Sequence, residues 1–189
     1  VTTPEPRDDP GGRLLISTPM LRDGVFNNTV VYLLAHSIEG SLGVVLNQPS
    51  DEPVGTTMSD WSALASPPRD LFVGGPVAED TLIGVSVTTV GGEGFARVPG
   101  PLDCHTMDLE VDSALAATHV TNLRIFAGYA GWGPGQVQSE IDAGGWFVAE
   151  AYLGDVFSPE PEALWEQVLS RQADSRRWYL NYPDNPNHN

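Results

Sequence analysis

Glycine falls inside or beside the segments of this chain that otherwise read most clearly as strands: Gly43, Gly74, Gly84, Gly128 and Gly131. A glycine weakens a flat strand because it has no side chain to pack and the most backbone freedom to lose. Its repeated use therefore marks bulges, sharp coiling or close approach of two backbones, and a sheet built from these segments must bend strongly. The strand-like segments are short and rich in β-branched and aromatic residues: 13–18, 29–36, 41–48, 71–73, 81–89, 95–98, 122–129 and 146–153. The second and third, joined by a four-residue turn containing Gly40, predict a β-hairpin. Helix-like stretches are interspersed without a regular βαβ repeat. Ser59 and Asp60 suit the start of a helix over 59–65 that turns Trp61 and Leu64 to the core, and a short Ala-rich helix is expected over 112–118. Pro134 and the pair Gly144-Gly145 bracket a helix over 134–143. Ser158 is placed to cap a last helix over 159–172, where Leu164, Trp165, Val168 and Leu169 recur at helical spacing. A tight turn or a single helical turn over 21–28 sends Phe26 inward. The class expected is α+β: a single compact domain with a coiled, mixed, partly barrel-like β-sheet and several short helices. Residues 1–12 read as a disordered leader, 13–182 as the domain and 183–189 as a flexible tail.

The chain has 189 residues, 41% of them hydrophobic and five of them Trp, enough for a real core without disulfides. The longest uninterrupted apolar run, 30–35, is about a third of what spans a bilayer. The first ten residues, VTTPEPRDDP, are acidic and proline-rich, the reverse of a secretory signal, so the expected location is the cytoplasm. Twenty-five carboxylates face nine basic residues, all of them Arg, for a net charge of −16, and neither half of the chain is basic. Such a surface repels a phosphate backbone, so no direct binding to duplex DNA is expected. The absence of Lys removes P-loop phosphate binding, Schiff-base chemistry and Ser-Lys dyads. A lone Cys104 excludes an intramolecular disulfide and every CxxC motif.

Several constellations carry side chains with chemical potential. His36 ends the first hairpin strand and Asn47 nears the end of its partner, so both are candidates for one rim; a His with an Asn orienter and a nucleophile would be a hydrolytic arrangement, but no nucleophile elbow occurs. The blander reading has both locking hairpin register by bonds to backbone. Gly74-Gly75-Pro76 follows a strand and suits either a structural turn or a bulge beside a bound group. The run from Gly128 to Gln136, containing Tyr129 and Trp132, leaves a strand and opens a helix, where free amides can cradle an anion; equally, small residues there let helix and sheet approach while Tyr129 and Trp132 fill the core. Gln136 and Glu140 share one helical face; they are the polar groups expected to line a cleft if one exists, and otherwise read as a solvated helix face. Asp103, Cys104, His105, Asp108 and Glu110 crowd together without metal-ligand spacing, which reads as a solvated acidic connection. Arg176-Arg177-Trp178-Tyr179 is the one basic–aromatic cluster; it suits stacking on a base, an acidic partner, or packing the chain end against the body. No cofactor, catalytic set, metal site or nucleic-acid-binding residue is assigned.

Four stretches taken together, GRLLISTPMLRDGVFNNTVVYLLAHSIEGSLGVVLNQP at 12–49, LFVGGPV at 71–77, RIFAGYAGWGPGQVQSEIDAGGWFVA at 124–149 and DVFSPEPEALWEQVL at 155–169, resemble the YqgE/AlgH family, uncharacterised protein family 0301. The chain looks like an actinobacterial member of it, with the likeness covering roughly 12–170. The resemblance implies a compact α+β fold of coiled, bifurcated sheets in a bacterial cytoplasmic protein. It implies no reaction, because the family has no established catalytic residues or ligand, although some members carry the label of transcriptional regulator. The function expected is that of a non-enzymatic regulatory or interaction protein working through an unknown protein partner. The alternative is a small-ligand binder or hydrolase using a cleft between the hairpin and the Gly-rich loop.

Overall fold

The structure is a computed structural model and describes residues 10–21, 24–172 and 175–181. Its strands are β1 (Leu14–Ser17), β2 (Val30–Ser37), β3 (Gly40–Val45), β4 (Pro49–Pro53), β5 (Asp70–Val73), β6 (Val77–Thr88), β7 (Phe95–Arg97), β8 (Cys104–Met107), β9 (Val120–Trp132) and β10 (Trp146–Ala149). Eight of them form a curled half-barrel in the order β10-β1-β2-β3-β9-β6-β8-β7, every neighbour antiparallel, while β4 and β5 branch from β9. The short helices are α1 (Val54–Thr57), α2 (Ser113–Ala116), α3 (Gln136–Asp142), α4 (Leu153–Val156) and α5 (Leu164–Ser170).

The fork in the sheet explains the glycines. Along one edge β9 pairs with β6; along the other its first half pairs in parallel with β5, Phe72 opposite Phe126, and its second half antiparallel with β3, Gly43 opposite Ala130. Gly74 and Gly75 sit where β5 departs and β3 arrives. The Gly74 N–H donates to Ala127 O at 2.8 Å, and its carbonyl accepts from Val45 N at 2.9 Å. A Cβ on Gly74 would lie 2.2 Å from Gly128 O, and one on Gly75, whose φ is +152°, 2.2 Å from the Tyr129 carbonyl carbon. No other residue fits this crossing. Gly43 faces the bulge at Leu34, where the β2–β3 register slips between Leu33 and Ala35.

Three apolar clusters line the curled sheet. The largest joins Leu14, Tyr32, Phe72, Phe126 and the inner side of α5. A second, around Trp61, Leu71, Met107 and Leu123, lies on the opposite face of β6, β8 and β9. The third holds Trp132, Trp146 and Val137, with Phe26 packed against it. All of the Trp residues assigned to the core at 61, 132, 146 and 165 are buried.

Several element boundaries differ from expectation. The hairpin strands run on to Ser37 and Gly40, leaving a two-residue turn, and β9 continues through Gly131 to Trp132 because its C-terminal half has β3 to pair with. Residues 59–65 hold only a 3-10 turn at Ser59–Trp61, whose start Ser59 does not cap. The helix after the Gly-rich loop begins at Gln136, since Gly135 at φ 70° leaves the helical path after Pro134. Strand β10 ends at Ala149, and 153–156 is helical. Pro161 opens a 3-10 turn that delays α5 to Leu164, so the Ser158 hydroxyl accepts from Glu160 N, at 3.2 Å, without capping a helix. The acidic connection expected at 103–110 contains β8, whose pairing with β6 buries Cys104 and His105. Gly12, in the expected leader, donates to Leu33 O at 2.8 Å; positions 1–9 and the tail 183–189 lie outside the described residues.

Candidate functional site

The hairpin separates His36 from Asn47. Asn47 Oδ1 accepts from Val30 N at 2.9 Å and its Nδ2 donates to Asn28 O at 2.8 Å, which places it at the start of β2. His36 lies six residues along that strand, roughly 20 Å away at the usual strand rise, with its Nδ1 2.7 Å from Ser41 Oγ. An antiparallel turn brings the end of one strand beside the start of the next, not beside its far end, so the two side chains share no rim.

Gly74, Gly75 and Tyr129 belong to the fork, with Pro76 exposed beside it. Trp132, Gln136 and Glu140 do come together. One carboxylate oxygen of Glu140, Oε2, accepts from the indole N–H of Trp132 at 3.0 Å and of Trp146 at 2.8 Å; the other, Oε1, accepts from Gln136 Nε2 at 2.8 Å. Gln136 Oε1 in turn accepts from Gly133 N at 3.0 Å, so that amide already has its acceptor. The two indoles meet edge to face with centroids 6.0 Å apart, and Phe26 contacts both rings. The polar groups expected to line a cleft thus bind one another and fasten α3 to β9 and β10.

Arg124 and the Cys104–Tyr32 pair are buried outside that network. Arg124, 1% exposed, donates to the carbonyls of Pro67 (2.7 Å), Ser158 (3.0 Å) and Val156 (3.3 Å) and lies 4.2 Å over the Phe72 ring. Burial lowers its pKa to about 10. It clamps two loops to the sheet. Cys104 lies beside the Tyr32 hydroxyl, which makes no hydrogen bond of regular geometry; burial pushes the thiol up to about 11 and raises the phenol as well. Cys104 and His105 are adjacent on one strand and face opposite sides of the sheet, so they cannot share an ion. Arg176 lies over the Phe147 ring at 4.9 Å and Tyr179 packs against the main core, whereas Trp178 is 80% exposed.

An open concavity lies elsewhere. A cleft of about 540 Å³ is bounded by the β6–β7 loop at Val90–Gly94, by Phe95, by residues 108–112 and by α2. Phe95, Val111, Leu115 and Ala116 form an apolar floor and wall, and the Phe95 ring meets His119 edge to face at 5.7 Å. Glu93, Asp108, Glu110 and Asp112 stand around it, with no Arg or Lys among the lining. Asp112 caps α2 through Ala114 N and Leu115 N, and Asp108 holds Glu110 N. Asp108 and Glu110 were legible as acidic neighbours, but only the long-range pairing of β7 with β8, Phe95 opposite Met107, brings them to the Gly91–Gly94 turn.

The AlgH-like family model, DUF179, matches residues 14–176. The chain belongs to the AlgH-like family. A UPF0301 protein of Streptomyces coelicolor is 48% identical over 184 residues, with 94% of each chain covered, and one of Streptomyces avermitilis is 46% identical over the same length and coverage. The crystal structure of protein DIP2367 from Corynebacterium diphtheriae superposes with a TM-score of 0.83 at 30% identity, covering 93% of this chain and 94% of that one. The solution structure of AlgH from Pseudomonas aeruginosa, at 24% identity and TM-score 0.70, covers 97% and 98% and shares the fold. The AlgH-like fold therefore extends over nearly the whole chain, and no helix among the described residues is long and apolar enough to cross a membrane.

Proposed function

We propose that this protein is a non-enzymatic, cytoplasmic regulatory protein that acts by holding a protein partner in the cleft beside α2. One observation carries the reading: the polar groups near the Gly-rich loop bond to each other, while the cleft between the β6–β7 loop and α2 stays open, with exposed apolar side chains and the carboxylates of Glu93 and Glu110 without a partner among the described residues. Exposed apolar surface in a concavity favours association over solvation. An effect on transcription then passes through the partner, since a chain at −16 lacks the counterion-releasing charge that duplex binding needs. The test is a photo-crosslinking residue in place of Leu115 in native host cells, with a second at Ile38, 93% exposed on the hairpin turn, as control. A discrete protein adduct from position 115 and none from position 38 is expected. Equal labelling at both, or none at either, refutes the reading.

A further inference from the structure

The cleft beside α2 is an apolar groove before it is an acidic one. Leu115, 64% exposed, and Val90, 51% exposed, face water on either side of it, and Phe95 and Val111 are only partly covered. The carboxylates occupy the perimeter, and those of Glu93 and Glu110 make no hydrogen bond or ion pair among the described residues. An occupant must match both features: an apolar side chain to fill the groove and positive charge beside it.

We propose that the cleft docks a short basic peptide segment of a partner protein, one bulky apolar residue seated against Phe95, Val111 and Leu115 and its flanking Arg or Lys facing Glu93 and Glu110. The inference rests on the interaction reading above and specifies the partner's chemistry. Charge complementarity decides between candidates. An acidic or phosphorylated segment would meet four carboxylates and no Arg or Lys among the lining residues, and like charges brought together oppose binding. An uncharged apolar segment would fill the groove but leave the field of the rim unused. The size fits a side chain and its neighbours, since pockets for small ligands and anchor residues start at roughly 300 Å³.

The probe is a fluorescein-labelled peptide, Gly-Arg-Arg-Leu-Trp-Arg-Arg-Gly, titrated with the full chain at physiological salt and followed by anisotropy. Saturable binding is expected, lost when Leu and Trp are replaced by Ser and when the Arg residues are replaced by Glu. Glu93→Gln with Glu110→Gln should weaken it roughly two- to thirtyfold, the range for two exposed charge pairs. Leu115→Ser should weaken it about tenfold. Glu39→Gln with Glu162→Gln, remote exposed positions with the same change in net charge, should leave it unchanged. All these side chains are exposed, so melting temperatures should be preserved and loss of binding is not loss of fold. Equal weakening by the near and remote pairs would mean diffuse attraction to an acidic protein and would overturn the proposal, as would undiminished binding of the Ser-substituted peptide. The crosslink separates the two levels. A protein adduct at position 115 without peptide binding refutes the basic chemistry alone; peptide binding without any adduct refutes the regulatory reading and leaves the groove's preference standing.

Discussion

Replacing Glu140 by alanine removes the acceptor shared by two indoles. Trp146 is 2% exposed and Trp132 6%, and both N–H groups point at the same oxygen. Leaving a buried donor unpaired costs about 1–3 kcal/mol. Two such donors give about 2–4 kcal/mol, the lower part of the sum, because Glu140 is itself half-exposed and water reaches part of the gap. For a domain of this length that lowers Tm by roughly 4–16 °C. Glu140→Gln keeps one oxygen for the indoles but turns an amide donor toward Gln136 Nε2, so it should fall between wild type and alanine. Urea titration followed by tryptophan fluorescence measures both. The stricter assay is a double-mutant cycle. In a Trp132→Phe background only one indole remains to be orphaned, and the cost of Glu140→Ala should drop by about 1 kcal/mol. Additive effects, or an alanine variant as stable as wild type, would refute the claim that this carboxylate fastens α3 to the sheet.

Arg124→Met should destabilise by about 2–4 kcal/mol in chemical denaturation, because the buried Val156 and Ser158 carbonyls lose their donor at about 1–3 kcal/mol each, while the exposed Pro67 carbonyl can turn to water. Native Cys104 should resist a thiol reagent and react promptly in denaturant, as it is fully buried and its pKa is raised. A thiol whose pKa rises from 9 to about 11 on folding contributes stability that is present below pH 9 and lost as pH climbs through 11. Stability should therefore begin to fall between pH 9 and 10, before Arg124 starts to discharge with the opposite sign, and Cys104→Ala should flatten that decline in a urea series. Purified protein should not retard a duplex promoter fragment at physiological salt; retardation abolished by Arg176→Ala with Arg177→Ala would show that a small basic cluster overcomes the overall charge.

Features that depend on neighbours along the chain could be read from the residues alone. The β2–β3 hairpin follows from two β-branched runs around Gly40, the first strand from residues 13–18, and the burial of Trp61, Trp132, Trp146 and Trp165 from the cost of exposing an indole. The bent sheet was written in Gly43, Gly74 and Gly128, whose missing side chains had to serve a bulge or a close approach. Charge and the missing Lys bounded the chemistry in the same local way. Long-range packing supplied the rest, because pairing across the sheet is set by residues far apart in the chain. It made β8 a buried strand although Cys-His-Thr-Met has little apolar pattern, since β6 and β7 supply its hydrogen bonds on both edges. It placed His36 and Asn47 at opposite ends of one hairpin, turned Glu140 from a pocket lining into the acceptor for two indoles, and buried Arg124 among carbonyls contributed by two distant loops. The cleft beside α2 arose the same way: Glu93 comes from the β6–β7 loop, Phe95 from β7, Glu110 from the connection after β8 and Leu115 from α2, segments that the β7–β8 ladder helps to draw together.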